Sequence, residues 1–81
     1  MQRQPVQSRM IASIGHDAAT NVLELEFVSG ELYRYYAVPA SVAAALVGSD
    51  RIGAFVTAEI KPRYRCEQVG DDLPRGGVRR R

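Results

Sequence analysis

The chain has one cysteine, one histidine and no long apolar run, and each scarcity excludes something. A lone Cys66 rules out a disulfide framework, and it is too few for the four-ligand zinc sites built on Cys and His. With His16 fifty positions away, Cys66 has no histidine near it in sequence to act as a base. No apolar stretch approaches the roughly 20 residues of a membrane span. The amino-terminal MQRQPVQSR is polar and has no signal-peptide core, which makes a cytoplasmic location the expectation. Phosphate-cradling glycine loops and metal-ligand spacings are missing too. These gaps point to a domain with no catalytic residues, no cofactor, no metal and no evident small-molecule substrate.

The 81 residues suffice for one domain with a thin core, since domains of this size bury only about 60% of their unfolded surface. The formal charge of +2 is unevenly placed. Through residue 70 the cations (Arg3, Arg9, Arg34, Arg51, Lys61, Arg63, Arg65) are balanced by Asp17, Glu24, Glu26, Glu31, Asp50, Glu59 and Glu67. The excess lies in the last residues, where Arg75, Arg79, Arg80 and Arg81 outnumber Asp71 and Asp72. Two adjacent glycines and a proline there predict a flexible arginine-rich tail over 70–81. A neutral body is not the electrostatic footprint of a strongly basic nucleic-acid binder.

The strongest periodicity is VLELEF, which puts Leu23, Leu25 and Phe27 on one face and Glu24 and Glu26 on the other. Before it, IASIGH reads as a short strand, and after it ELYRYYAV reads as a third. The loop between the last two decides which tyrosines are buried. A two-residue Ser29-Gly30 loop would send Tyr33 and Tyr35 to the glutamate face. A three-residue Val28-Ser29-Gly30 loop, with Gly30 in the left-handed position such loops require, pairs Leu25 with Tyr33 and Leu23 with Tyr35. It also sets Arg34 opposite Glu24. The longer loop is therefore expected, with Tyr33 and Tyr35 facing the core. Pro39 then opens a helix over ASVAAALV that stops at Gly48. Ser49-Asp50 is expected to cap a second helix to Ile60, with Ile52, Phe55, Val56 and Ile60 on one face and Pro62 at its end. RYRCEQV alternates and supplies a fourth, edge strand, with Cys66 read as a small core residue. The predicted class is α+β: an antiparallel three-stranded meander, extended by that edge strand, followed by and packed against two short helices. An amino-terminal arm covers 1–7 and the domain 8–69.

The ordered set IGHD, LELEFVSG, Tyr33-Arg34-Tyr35, Val38-Pro39, the Ser49/Gly53/Phe55 spacing, Ile60-Lys61 and Tyr64 resembles the KTSC domain. That family of short bacterial and phage domains takes its name from a carboxy-terminal extension of some lysyl-tRNA synthetases. The match runs from about Ser8 to Val69, departing at His16, where an aromatic is more usual. The resemblance implies an RNA-binding role through its synthetase context.

Two binding functions stay open on the residues. Single-stranded nucleic acid needs aromatic faces flanked by cations. With Tyr33 and Tyr35 assigned to the core, the candidates are Arg34, Tyr36, Lys61, Arg63 and Arg65. A protein partner, or a second copy in a homodimer, would instead use the outer sheet face of Val22, Leu32, Tyr36 and Val38. His16 beside its turn reads as polar surface.

Overall fold

Residues 3–71 are described in the structure, a computed structural model. Five antiparallel strands form one sheet in chain order: β1 (Arg3–Pro5), β2 (Ile11–Asp17), β3 (Val22–Phe27), β4 (Glu31–Tyr35) and β5 (Cys66–Asp71). Between β4 and β5 come α1 (Ala40–Val47) and α2 (Ile52–Phe55), the latter continuing as a π-helical turn over Val56–Ile60. The architecture is α+β, a meander with two helices. The sheet exceeds the expected one by a strand within the amino-terminal arm, and the fourth strand has become the fifth. From residue 72 onward, the expected arginine-rich tail lies outside the described residues.

The β3–β4 hairpin adopts the three-residue register. Leu23 faces Tyr35, Glu24 faces Arg34 and Leu25 faces Tyr33. Gly30 takes φ 104°, and its N–H donates to the Phe27 carbonyl at 2.8 Å. A side chain other than glycine would be strained there.

Strand β2 explains a pattern that alternation cannot. Ile11 and Ile14 are an odd number of residues apart, yet both are buried. A bulge between Ile11 and Ser13 takes up the extra residue, so both isoleucines reach the same face. With Leu23, Leu25, Tyr35, Val38, Leu46, Val56 and Ile60 they form the core between sheet and helices. Burial of Ile52, Val56 and Ile60, with Phe55 packed alongside, follows the apolar stripe of the second helix. Ser49 does not cap that helix as expected. Its hydroxyl instead accepts the Arg51 N–H at 3.0 Å and shapes the preceding turn.

Two expectations about orientation fail. Alternation puts Val38 on the outer face, but Ala37 adopts a left-handed φ of 60° that turns the chain back, and Val38 is fully buried. Its N–H donates to the Asn21 carbonyl at 2.8 Å. Cys66 points to the helical side opposite Tyr35 but is exposed, because β5 is an edge strand and no helix among the described residues reaches over it. No helix among the described residues is long and apolar enough to cross a membrane.

Candidate functional site: the aromatic cleft on the helical side of the sheet

The helices cover Leu23 and Leu25 completely, but they leave open the end of the sheet where Phe27, Tyr33 and Cys66 lie. The result is a cleft of about 430 Å³, within the size range of small-ligand sites. Phe27 and Tyr33 meet edge to face in its wall, with centroids 5.4 Å apart and planes at 75°. Lys61 closes one side, its Nζ 5.7 Å from the Phe27 ring centroid. The π-helical turn delivers this lysine: its amide donates to the Val56 carbonyl, five residues back, at 2.8 Å. Pro62, which has no N–H, then prevents the helix from continuing. Met10 and Glu31 complete the lining.

Tyr35 brings a hydroxyl to this cleft although only 2% of the residue is exposed. Burial, reinforced by the neighbouring Cys66 thiol and by Tyr33, pushes its ionisation up to about 12, so the phenol is a neutral donor at ordinary pH. Beyond that thiol, no side-chain or backbone oxygen among the described residues accepts its proton. An aromatic wall, a cation and a donor held only by a weak thiol acceptor suit a flat, hydrogen-bonding ring system.

The residues expected to form one site are divided between the two faces. Lys61 lines the cleft with Tyr33 and Tyr35. Arg34 and Tyr36 lie together on the opposite, outer face, beside a shallow depression with Val22. Both already have partners there. The Tyr36 hydroxyl donates to Glu67 at 2.6 Å, a bond that raises the ionisation of the phenol. Arg34 Nε donates to Glu24 at 3.0 Å. Arg65 acts on Tyr36 through its charge, and its carbonyl accepts the Tyr36 N–H at 2.9 Å. Arg63 is highly exposed and pairs with Glu59 at 3.3 Å.

Glu24 and Arg3 organise this outer face, and neither is a candidate from sequence. Arg3, on β1, donates to Glu24 at 2.8 Å and to Ser13 at 3.2 Å, and Ser13 donates onward to Glu26 at 2.7 Å. Burial pushes the Glu24 carboxyl up, but the hydrogen bonds and charges of Arg3 and Arg34 outweigh it and hold it below the ordinary 4.5. The Arg3 contact depends on a strand pairing that no local signal announces. Phe27 as a cleft wall is nearer to legible, since it continues the Leu23/Leu25 face past the reach of the helices. His16 also differs from its reading as surface: its Nε2–H donates to the Val38 carbonyl at 2.7 Å and ties β2 to the turn after β4. Among the described residues, no group of three or more His, Cys, Asp or Glu converges to hold a metal ion.

A meander whose Tyr-x-Tyr strand borders a half-covered aromatic cleft places the chain among small α+β domains. Its sequence places it further: the KTSC domain profile matches residues 7–64, and the chain belongs to the KTSC domain family. A protein of Tsukamurella paurometabola is 42% identical over 63 residues, covering 78% of this chain and 94% of that protein. One from Stutzerimonas stutzeri is 42% identical over 64 residues, covering 79% and 90%. The crystal structure of a KTSC domain protein from Yersinia pestis superposes with a TM-score of 0.82 at 35% identity, covering 85% of this chain and 97% of that one.

Proposed function

We propose that this KTSC domain is a non-catalytic, cytoplasmic binding module for single-stranded nucleic acid, RNA foremost, which seats an unstacked base in the Phe27–Tyr33–Tyr35 cleft beside Lys61. The observation that carries the reading is the coincidence there of aromatic surface, a cation and a buried hydroxyl without an oxygen acceptor. Base recognition by single-strand binders uses stacking on aromatics together with hydrogen bonds to base edges. Arg34 and Tyr36, two of the candidates from sequence, are less suited because Glu24 and Glu67 already engage them.

The test is a fluorescence-anisotropy titration of short single-stranded RNA and DNA at low and physiological salt. Tyr33→Ala and Lys61→Gln should each weaken binding about five-fold or more, since stacking of one base contributes about 1–3 kcal/mol. Arg34→Gln should have little effect on binding. If the wild-type chain binds neither RNA nor DNA, the reading fails, and the outer face of Val22, Leu32 and Tyr36 becomes the surface to test against protein partners.

A further inference from the structure

A second groove adjoins the cleft. Its volume is about 530 Å³, and it runs between the turn before β2 and the start of α2. Met10 is common to the walls of both. Met10 also borders α2, where a Cβ on Gly53 would stand 3.4 Å from the Met10 Cβ, at van der Waals contact. Arg9 lines one side of the groove and Arg51 the other, both exposed.

These two arginines differ from most others in the domain. Arg3 and Arg34 are paired with Glu24, and Arg63 with Glu59. Neither Arg9 nor Arg51 makes an ion pair with a carboxylate among the described residues, although Asp50 also lines the groove. Arg65 is likewise unpaired among the described residues but lies by Tyr36 on the far face. The backbone carrying each groove arginine is held by a serine. Ser8 Oγ accepts the N–H groups of Met10 and Ile11, both at 3.1 Å, and Ser49 Oγ accepts that of Arg51 at 3.0 Å. Two guanidiniums with no ion-pair partner among the described residues, on braced turns lining one groove, are suited to anionic groups held in a row.

We propose that the groove between Arg9 and Arg51 takes the phosphodiester backbone of the strand whose base occupies the aromatic cleft, with Met10 as the saddle between them. This inference rests on the nucleic-acid reading above and extends it to a path: base at Phe27, Tyr33 and Tyr35, phosphates at Arg9 and Arg51. No motif in the sequence singles out either arginine.

The test compares the full chain with an Arg9→Gln/Arg51→Gln variant, using single-stranded RNA of about two and about eight nucleotides. Salt is varied between about 50 and 200 mM. Removing one guanidinium from its phosphate should reduce the slope of log K against log salt by about 0.7, so the double variant should show a slope shallower by about 1.4. It should also forfeit the affinity advantage of the longer RNA while binding the shorter one like the wild type. An Arg63→Gln/Arg65→Gln variant controls for net charge and should keep the wild-type slope. An unchanged slope in the groove variant overturns the path, and so does an equal reduction in the control variant. In either case, continued sensitivity to Tyr33→Ala and Lys61→Gln leaves the cleft reading standing. If the wild type binds neither RNA, both readings fall.

Discussion

The two faces of this sheet are stabilised in different ways. The helical face excludes water: Ile11, Leu23, Leu25 and Val38 are fully buried against α1 and α2, and dispersion and apolar burial hold them there. Among the described residues no helix packs on the outer face, yet Glu24 is almost as inaccessible, with 5% of the residue exposed. Long arginine side chains, Arg34 from the adjacent β4 and Arg3 from β1 across β2, shield it and satisfy it at the same time. A strand can thus bury alternate residues on both faces of one sheet, by packing on one and by charge pairing on the other. The proposed binding site tracks the difference. On the outer face Glu24 is engaged by Arg3 and Arg34, and Tyr36 by Glu67, whereas the helical face leaves an opening lined by Lys61 and Tyr35.

Substitutions at three positions sharpen or break that contrast. Tyr35→Ala, on the packed face, should cost the most, about 3–5 kcal/mol as for other large buried aromatics. Thermal denaturation would measure it, and an unchanged melting temperature would contradict the burial of this ring. The wild type should also lose stability as the pH rises from about 10 to about 12. The folded-state phenol ionises later than the unfolded one, so the benefit is complete below the unfolded value and fades above it. Tyr35→Phe should flatten that alkaline decline.

Glu24→Gln, on the paired face, should cost about 1.5–3 kcal/mol, the range for hydrogen bonds to charged groups, and towards its lower end because Arg34 is half-exposed. The sign of its pH dependence is opposite to that of Tyr35. A depressed carboxyl stabilises fully above the unfolded value of 4.5 and loses its effect as the pH falls below it. Denaturant melts of wild type and variant should therefore converge in acid. If the gap between them is as wide in acid as at neutral pH, charge is not what holds the outer face.

Ala37→Gly has the smallest expected effect and the opposite direction. Left-handed φ costs a non-glycine residue about 1–2 kcal/mol, partly offset by the extra flexibility of glycine when unfolded. A gain of under about 1 kcal/mol in denaturant unfolding is expected. A decrease in stability would mean that the alanine methyl contributes packing where the chain turns Val38 inward.

The alternation of VLELEF and the glycine of a three-residue loop are enough to read the β3–β4 register from the sequence, because hairpin pairing is local and a one-residue slip would invert every side chain. The apolar stripe of the second helix is legible for a similar reason, its spacing being helical. Strand β1 is not, since RQP has no strand pattern and forms one through pairing with β2 and the Arg3–Glu24 bridge. Cys66 and Val38 defeat alternation because it says which way a residue points only until the chain turns or the covering layer ends. The candidate site follows the same rule. Lys61 and the two motif tyrosines are recognisable by type, but their convergence with Phe27 and Met10 is not.

By itself, the sequence determined the class, the central hairpin, the two helical segments and membership of the KTSC family, all of which depend on local pattern or on ordered motifs. Only the tertiary structure decided which cations besides Arg34 are paired, and which have no ion-pair partner among the described residues. Beyond its hairpin partner Arg34, Glu24 engages Arg3 from twenty-one residues away. Arg9 and Arg51, far apart in the chain, line one groove. Such relations arise when strands and helices close over a common core, and no window along the chain contains both partners.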